Sequence, residues 1–119
     1  MKEEDLKSRT KLFALRVIKL VNALPKNSIA KVIGNQLLRA GTSLAANYRA
    51  ACRARSKAEF ISKLGIVIEE ADESTFWLEL IIETGLMKQK LIDSLLTEAN
   101  ELTAIMVSSS NSAQKRRDF

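Results

Sequence analysis

The sequence predicts an all-α fold, an antiparallel up-and-down four-helix bundle. Three observations carry that expectation. Apolar residues recur at spacings of three, four and seven through most of the 119 residues, and no useful stretch alternates with period two. There is one proline, Pro25, and only four glycines, so long uninterrupted helices are possible. The connections between the periodic segments are short, which sets each helix beside its predecessor in the chain.

The first helix carries Leu6, Phe13, Val17, Leu20, Val21 and Leu24 as its stripe, with Lys7, Lys11 and Lys19 on other faces. Pro25 ends it, Lys26–Asn27–Ser28 form the turn, and Asn27 or Ser28 caps the second helix. That second helix runs from about Ile29 to Cys52, with Ile29, Val32, Ile33, Leu37, Ala40, Leu44 and Ala45 facing inward. Gly41-Thr42-Ser43 is read as a packed waist within this one long helix, because small residues admit a close neighbour. "SKAE", Ser56 to Glu59, is a capping box that opens the third helix. That helix continues to about Thr84, roughly 42 Å at 1.5 Å per residue. Phe60, Leu64, Val67, Ile68, Ala71, Thr75, Leu78 and Ile82 are expected inside, and Gly85 supplies a left-handed stop. The fourth helix spans about Lys88–Val107 on a stripe of Leu91, Leu95, Ala99, Leu102, Ile105 and Met106. Residues 1–107 thus form a single bundle domain, and 108–119 are expected to be a polar, disordered basic tail.

Composition excludes much chemistry. The chain has no histidine and one cysteine, Cys52, so there is no Ser-His-Asp triad, Cys-His pair, His-ligated or multi-thiolate zinc site, or intramolecular disulfide. No phosphate-binding loop or dinucleotide fingerprint occurs. The charged start "MKEEDLKSRTKLF" lacks a signal-peptide core, and no apolar run approaches a membrane span, so the chain reads as cytoplasmic with no membrane partner. No cofactor, metal or catalytic residue is expected.

Charge is distributed unevenly. Residues 1–63 hold 14 Lys/Arg against 4 Asp/Glu, and residues 64–119 hold 5 against 10. A polyanion suits the basic half; a second copy, basic half against acidic half, suits both. The richest basic stretch is "AANYRAACRARSKAEF", residues 45–60. Arg49 and Arg53 share a helix face, Arg55 and Lys57 occupy the corner, and Lys63 follows on the third helix. These five are the candidate nucleic-acid contacts, electrostatic rather than sequence-reading because only Tyr48 is interleaved with them. The bland alternative is a solvated corner with cations near a helix C-terminus.

The third helix carries an acidic face: Glu69, Glu70, Asp72, Glu73, Glu79 and Glu83. Without histidine or facing carboxylates they make a poor metal site, and the expected counter-charge is the basic surface of another subunit. Phe76, Trp77, Leu80 and Ile81 exceed what the inner stripe holds. Trp77 is either a core residue at the bundle rim or, with Leu80 or Ile81, an apolar patch that needs a partner. Glu69, Glu73, Trp77, Leu80 and Ile81 are therefore the candidate self-association surface. Cys52 reads as a small apolar residue, although its arginine neighbours would lower its pKa.

The segment from Leu37 to Met87 resembles a bacterial four-helix bundle family through Ser43, Ala46-Asn47, Arg55-Ser56, Glu59-Phe60, Glu70-Ala71-Asp72-Glu73 and Trp77-Leu78. That family includes proteins encoded in intervening sequences of 23S ribosomal RNA genes and relatives of the accessory variability protein of diversity-generating retroelements. Where many members carry an acid and a glycine after the Asn, this chain has Ala50 and Ala51. The resemblance implies an antiparallel bundle assembled into a ring, often a pentamer, with no catalysis. For the retroelement relatives it implies binding to nucleic acid and to a reverse transcriptase. The function expected is a non-enzymatic homo-oligomer that binds RNA or DNA as an accessory or adaptor. The alternative is a protein-interaction scaffold whose charges serve subunit assembly.

Overall fold

The computed structural model describes residues 3–116. Four helices, α1 (Glu3–Asn22), α2 (Ser28–Cys52), α3 (Lys57–Glu83) and α4 (Asp93–Lys115), follow one another, with a 3₁₀ turn at Gln89–Leu91 before the last. There is no strand among the described residues. Each helix packs on its chain neighbours and α4 returns to α1, which makes an antiparallel bundle 55 Å long and about 20 Å across.

The inward positions are Leu6, Thr10, Phe13, Val17 and Leu20 on α1, continued by Leu24 in the turn after it, and Leu64, Val67, Ala71, Ser74, Leu78 and Ile81 on α3. Both series alternate steps of three and four, the spacing that keeps a stripe facing its neighbours in a bundle. Of the four buried polar residues, Thr10, Glu70, Ser74 and Ser110, the first three are satisfied as follows. Thr10 Oγ1 donates to the Lys7 carbonyl at 3.1 Å, Ser74 Oγ donates to the Glu70 carbonyl at 2.8 Å, and buried Glu70 is bound by Arg39. Gly41 lies within an unbroken α2, where a Cβ would sit 2.9 Å from Val17 Cγ2. The packed waist is the α1–α2 contact.

The ends follow their capping residues. Asn27 Oδ1 accepts from the Ala30 N–H at 2.9 Å, and Ser56 Oγ accepts from the Glu59 N–H at 3.1 Å. After α3, Gly85 adopts φ +72, its N–H reaches the Ile82 carbonyl and the Leu86 N–H reaches that of Ile81. This pair of bonds is a Schellman motif, and half-buried Leu86 packs against the core beside it.

Several expectations are corrected. Ile29 and Val32 are 60% and 61% exposed, because each precedes a stripe residue (Ala30 and Ile33) and so points about 100° away round the helix. Leu91 is 61% exposed for the same reason, and Ile92 takes its place inside. On α3 the strict three–four series selects Ile81 for the core, while Phe60, Ile68, Thr75 and Ile82 are only half-buried. Helix α4 runs on through Ser108–Lys115, because Ser110 extends the stripe four residues beyond Met106 and Gln114 Nε2 donates to its hydroxyl at 3.2 Å. Residues 117–119 of the expected tail lie outside the described residues.

Candidate nucleic-acid interface

The close approach of α1 and α2 at Gly41 sets the register in which the N-terminal half of α1 faces the C-terminal half of α2. Lys7 and Lys11 of α1 and Arg49 of α2 then line one groove of about 350 Å³, with Arg53 just past the end of α2. Its bed is small: Ser8, Ala45 and Ala46, with Thr10 at the bottom. Lys7 pairs with Glu4 at 3.0 Å. Among the described residues no carboxylate lies within ion-pair distance of Lys11, Arg49 or Arg53. Lys11, Arg49 and Arg53 are exposed and unneutralised on a concave strip, which suits phosphate.

The other three predicted contacts do not join this groove. Arg55 is exposed in the α2–α3 turn, with Nε 3.9 Å from Glu59 Oε2. Lys57 opens α3 and donates to the Arg116 carbonyl at the end of α4. Lys63 lies seven residues before Glu70 and so on its face of α3, the flank that meets α2.

The acidic face of α3 is partly neutralised within the chain, which corrects the expectation of another subunit's cations for Glu73. Arg39 Nη1 donates to Glu70 Oε2 at 3.0 Å and its Nη2 to Glu73 Oε1 at 2.5 Å. The Trp77 indole N–H donates to that same oxygen at 3.2 Å. The Arg39 guanidinium and then the Trp77 indole hold the Glu73 carboxyl below the usual carboxylate range. Glu69 remains exposed. Ile81 is fully buried in the core of the single chain and offers no surface, whereas Trp77 and Leu80 are half-buried at its edge. Trp77 stacks edge-on against Phe76, with ring centroids 4.9 Å apart, and Phe76 is half exposed.

A second arginine clamp, missed from sequence, joins α1 to α4. Arg9 Nε and Nη2 donate to the two oxygens of Glu98 at 2.8 and 2.7 Å, and Nη2 also reaches Glu101 at 2.8 Å. Both clamps use carboxylates three apart, Glu70/Glu73 and Glu98/Glu101, a spacing that presents two acids on one helix face. That spacing was the available signal. Cys52 departs from expectation: burial pushes its thiol up, and the fall expected from nearby arginines does not occur. No group of three His, Cys, Asp or Glu among the described residues is placed to hold a metal, and no described helix is long and apolar enough to cross a membrane.

The 23S rRNA-intervening sequence protein family model matches residues 2–108. The chain belongs to that family. A structure similar to it is the 1.70 Å crystal structure of a protein of unknown function from the S23 ribosomal protein family of Bacteroides thetaiotaomicron VPI-5482. The two share 35% identity over 93% of this chain and 99% of the other, with a TM-score of 0.86. No curated protein matches. Membership in the 23S rRNA-intervening sequence family accounts for the four-helix fold but assigns no activity to the groove between α1 and α2.

Proposed function

We propose that this member of the 23S rRNA-intervening sequence family is a non-enzymatic, self-associating bundle that binds RNA or DNA electrostatically, as an accessory or adaptor. The observation that carries the reading is the groove in which Lys7, Lys11, Arg49 and Arg53 converge, three of them without an acidic partner among the described residues. Cations spaced along a strip neutralise successive phosphates and release counterions, so affinity falls steeply with salt. Self-association is supported by exposed Ile29, Val32 and Phe76 beside half-buried Trp77 and Leu80. Copies joined there would multiply weak phosphate contacts by avidity. By family resemblance the assembly is a ring, as large as a pentamer, and a reverse transcriptase is a candidate protein partner. Filter binding of short RNA and DNA across a salt series tests the ligand. Binding that weakens with a steep log–log slope is expected, and no retention at the lowest salt refutes it.

A scaffold with no nucleic-acid ligand has support in Glu69, Asp72, Glu79 and Glu83, none of which forms an ion pair among the described residues. If Arg49→Glu/Arg53→Glu breaks the assembly, that second reading holds; if it abolishes only nucleic-acid retention, the first does.

A further inference from the structure

At the end of the bundle where the chain enters α1 and leaves α4, the four helices surround a cavity of about 600 Å³. That volume is within the range of small-molecule sites. One wall is apolar and aromatic, with Leu6 and Tyr48 at its base and half-buried Phe60 open to the space. The opposite wall is α4, which lines it with the hydroxyls of Ser109 and Ser112. Lys57, Arg116 and Glu3, none of them buried, form its mouth, where Lys57 also donates to the Arg116 carbonyl.

An aromatic wall, a hydroxyl wall and a cationic mouth match one ligand chemistry: a flat heteroaromatic ring rimmed with hydrogen-bonding groups and joined to a phosphate. The cavity also adjoins the basic groove. Leu6 lines the cavity while Lys7 lines the groove, and Cys52 lines the cavity while Arg53 lines the groove. A strand whose phosphates follow the groove arrives at the cavity mouth past two acids, Glu4, which is paired with Lys7, and Glu3.

We propose that this cavity receives an unpaired nucleobase of the bound strand, stacked on Phe60, hydrogen-bonded to the α4 serines and Glu3, with its phosphate at Lys57 and Arg116. The inference rests on the proposed function and adds to it a preference for single-stranded or frayed nucleic acid, since a base within a duplex cannot enter.

The test compares a short single strand with the blunt duplex of the same sequence, by fluorescence anisotropy at low salt. Four proteins are used: wild type, Phe60→Ala, Ser112→Phe and Arg49→Gln/Arg53→Gln. Ser112 is exposed, so its replacement narrows the cavity without touching the core, and circular dichroism verifies the fold of each. Wild type should prefer the single strand. Phe60→Ala and Ser112→Phe should each lose about tenfold on the single strand and nothing on the duplex, the scale of one stacked base. The arginine variant should lose on both. Cavity variants that bind both substrates as wild type does, or that weaken both equally, overturn the base pocket and leave the phosphate groove standing. An arginine variant indistinguishable from wild type refutes the groove, and wild type that binds neither substrate refutes both.

Discussion

A Cβ on Gly41 would lie 2.9 Å from Val17, whereas one on Gly65 would meet nothing within 4 Å. Both glycines sit inside helices, where alanine is worth up to about 1 kcal/mol over glycine. Gly65→Ala should therefore raise stability by about 0.5–1 kcal/mol. Gly41→Ala should lower it by about 1 kcal/mol, because overpacking costs about 1–3 kcal/mol and exceeds the propensity gain. Urea melts of the two variants check both signs. The Arg39–Glu73–Trp77 contact makes a pH prediction. A carboxyl held below its usual value contributes stability that is full above its unfolded pKa, about 4.3, and is lost as pH falls through the folded value. The stability gap between wild type and Arg39→Gln should be widest above about pH 4.3 and narrow below it. A gap that stays constant down the acid limb would show that Glu73 does not titrate against Arg39.

Of the helix pairs that form the ring of the bundle, α1 and α4 pack least closely, and polar groups fasten their seam: the Arg9 fork on Glu98, and Arg16 donating to Ser94 Oγ at 2.6 Å. Arg9→Met should cost about 1–2 kcal/mol by leaving the half-buried Glu98 carboxylate without its guanidinium. Hydrogen exchange should show faster opening of α1 and α4 than of α2 and α3; uniform acceleration of all four helices would argue against a local seam. The helices were legible because their caps are side chains with a single job. Asn27, Ser56 and Gly85 each stand where the backbone needs an acceptor or a positive φ, and each is used so. Facing was less legible on α3, because Phe76, Trp77, Leu80 and Ile81 place apolar groups on several sides at once. Only the positions of the neighbouring helices select Ile81 over Ile82. The clamps were not legible because each requires knowing which arginine crosses to which pair of acids.

For the whole molecule, Arg49 and Arg53 were legible as a shared face, but their union with Lys7 and Lys11 depends on the register between α1 and α2. Sequence distance also hid the separation of Lys57, which belongs to the other end of that corner. The apolar surface follows the same logic. Arg39 opposite Glu70 and Glu73 fixes antiparallel register, and seven residues further along it Val32 comes level with Trp77 and Leu80. Val32→Glu should reduce the solution mass toward that of one chain, 13.3 kDa, with the helical signal retained. A wild-type protein that is already a stable monomer by light scattering would remove the assembly from the account. The groove is tested most directly by the salt dependence of nucleic-acid affinity in wild type and Arg49→Gln/Arg53→Gln. Each phosphate contact contributes about 0.7–0.9 to the log–log slope, so losing two should flatten it by about 1.4–1.8. An unchanged slope with unchanged affinity would contradict the claim that this groove holds phosphate.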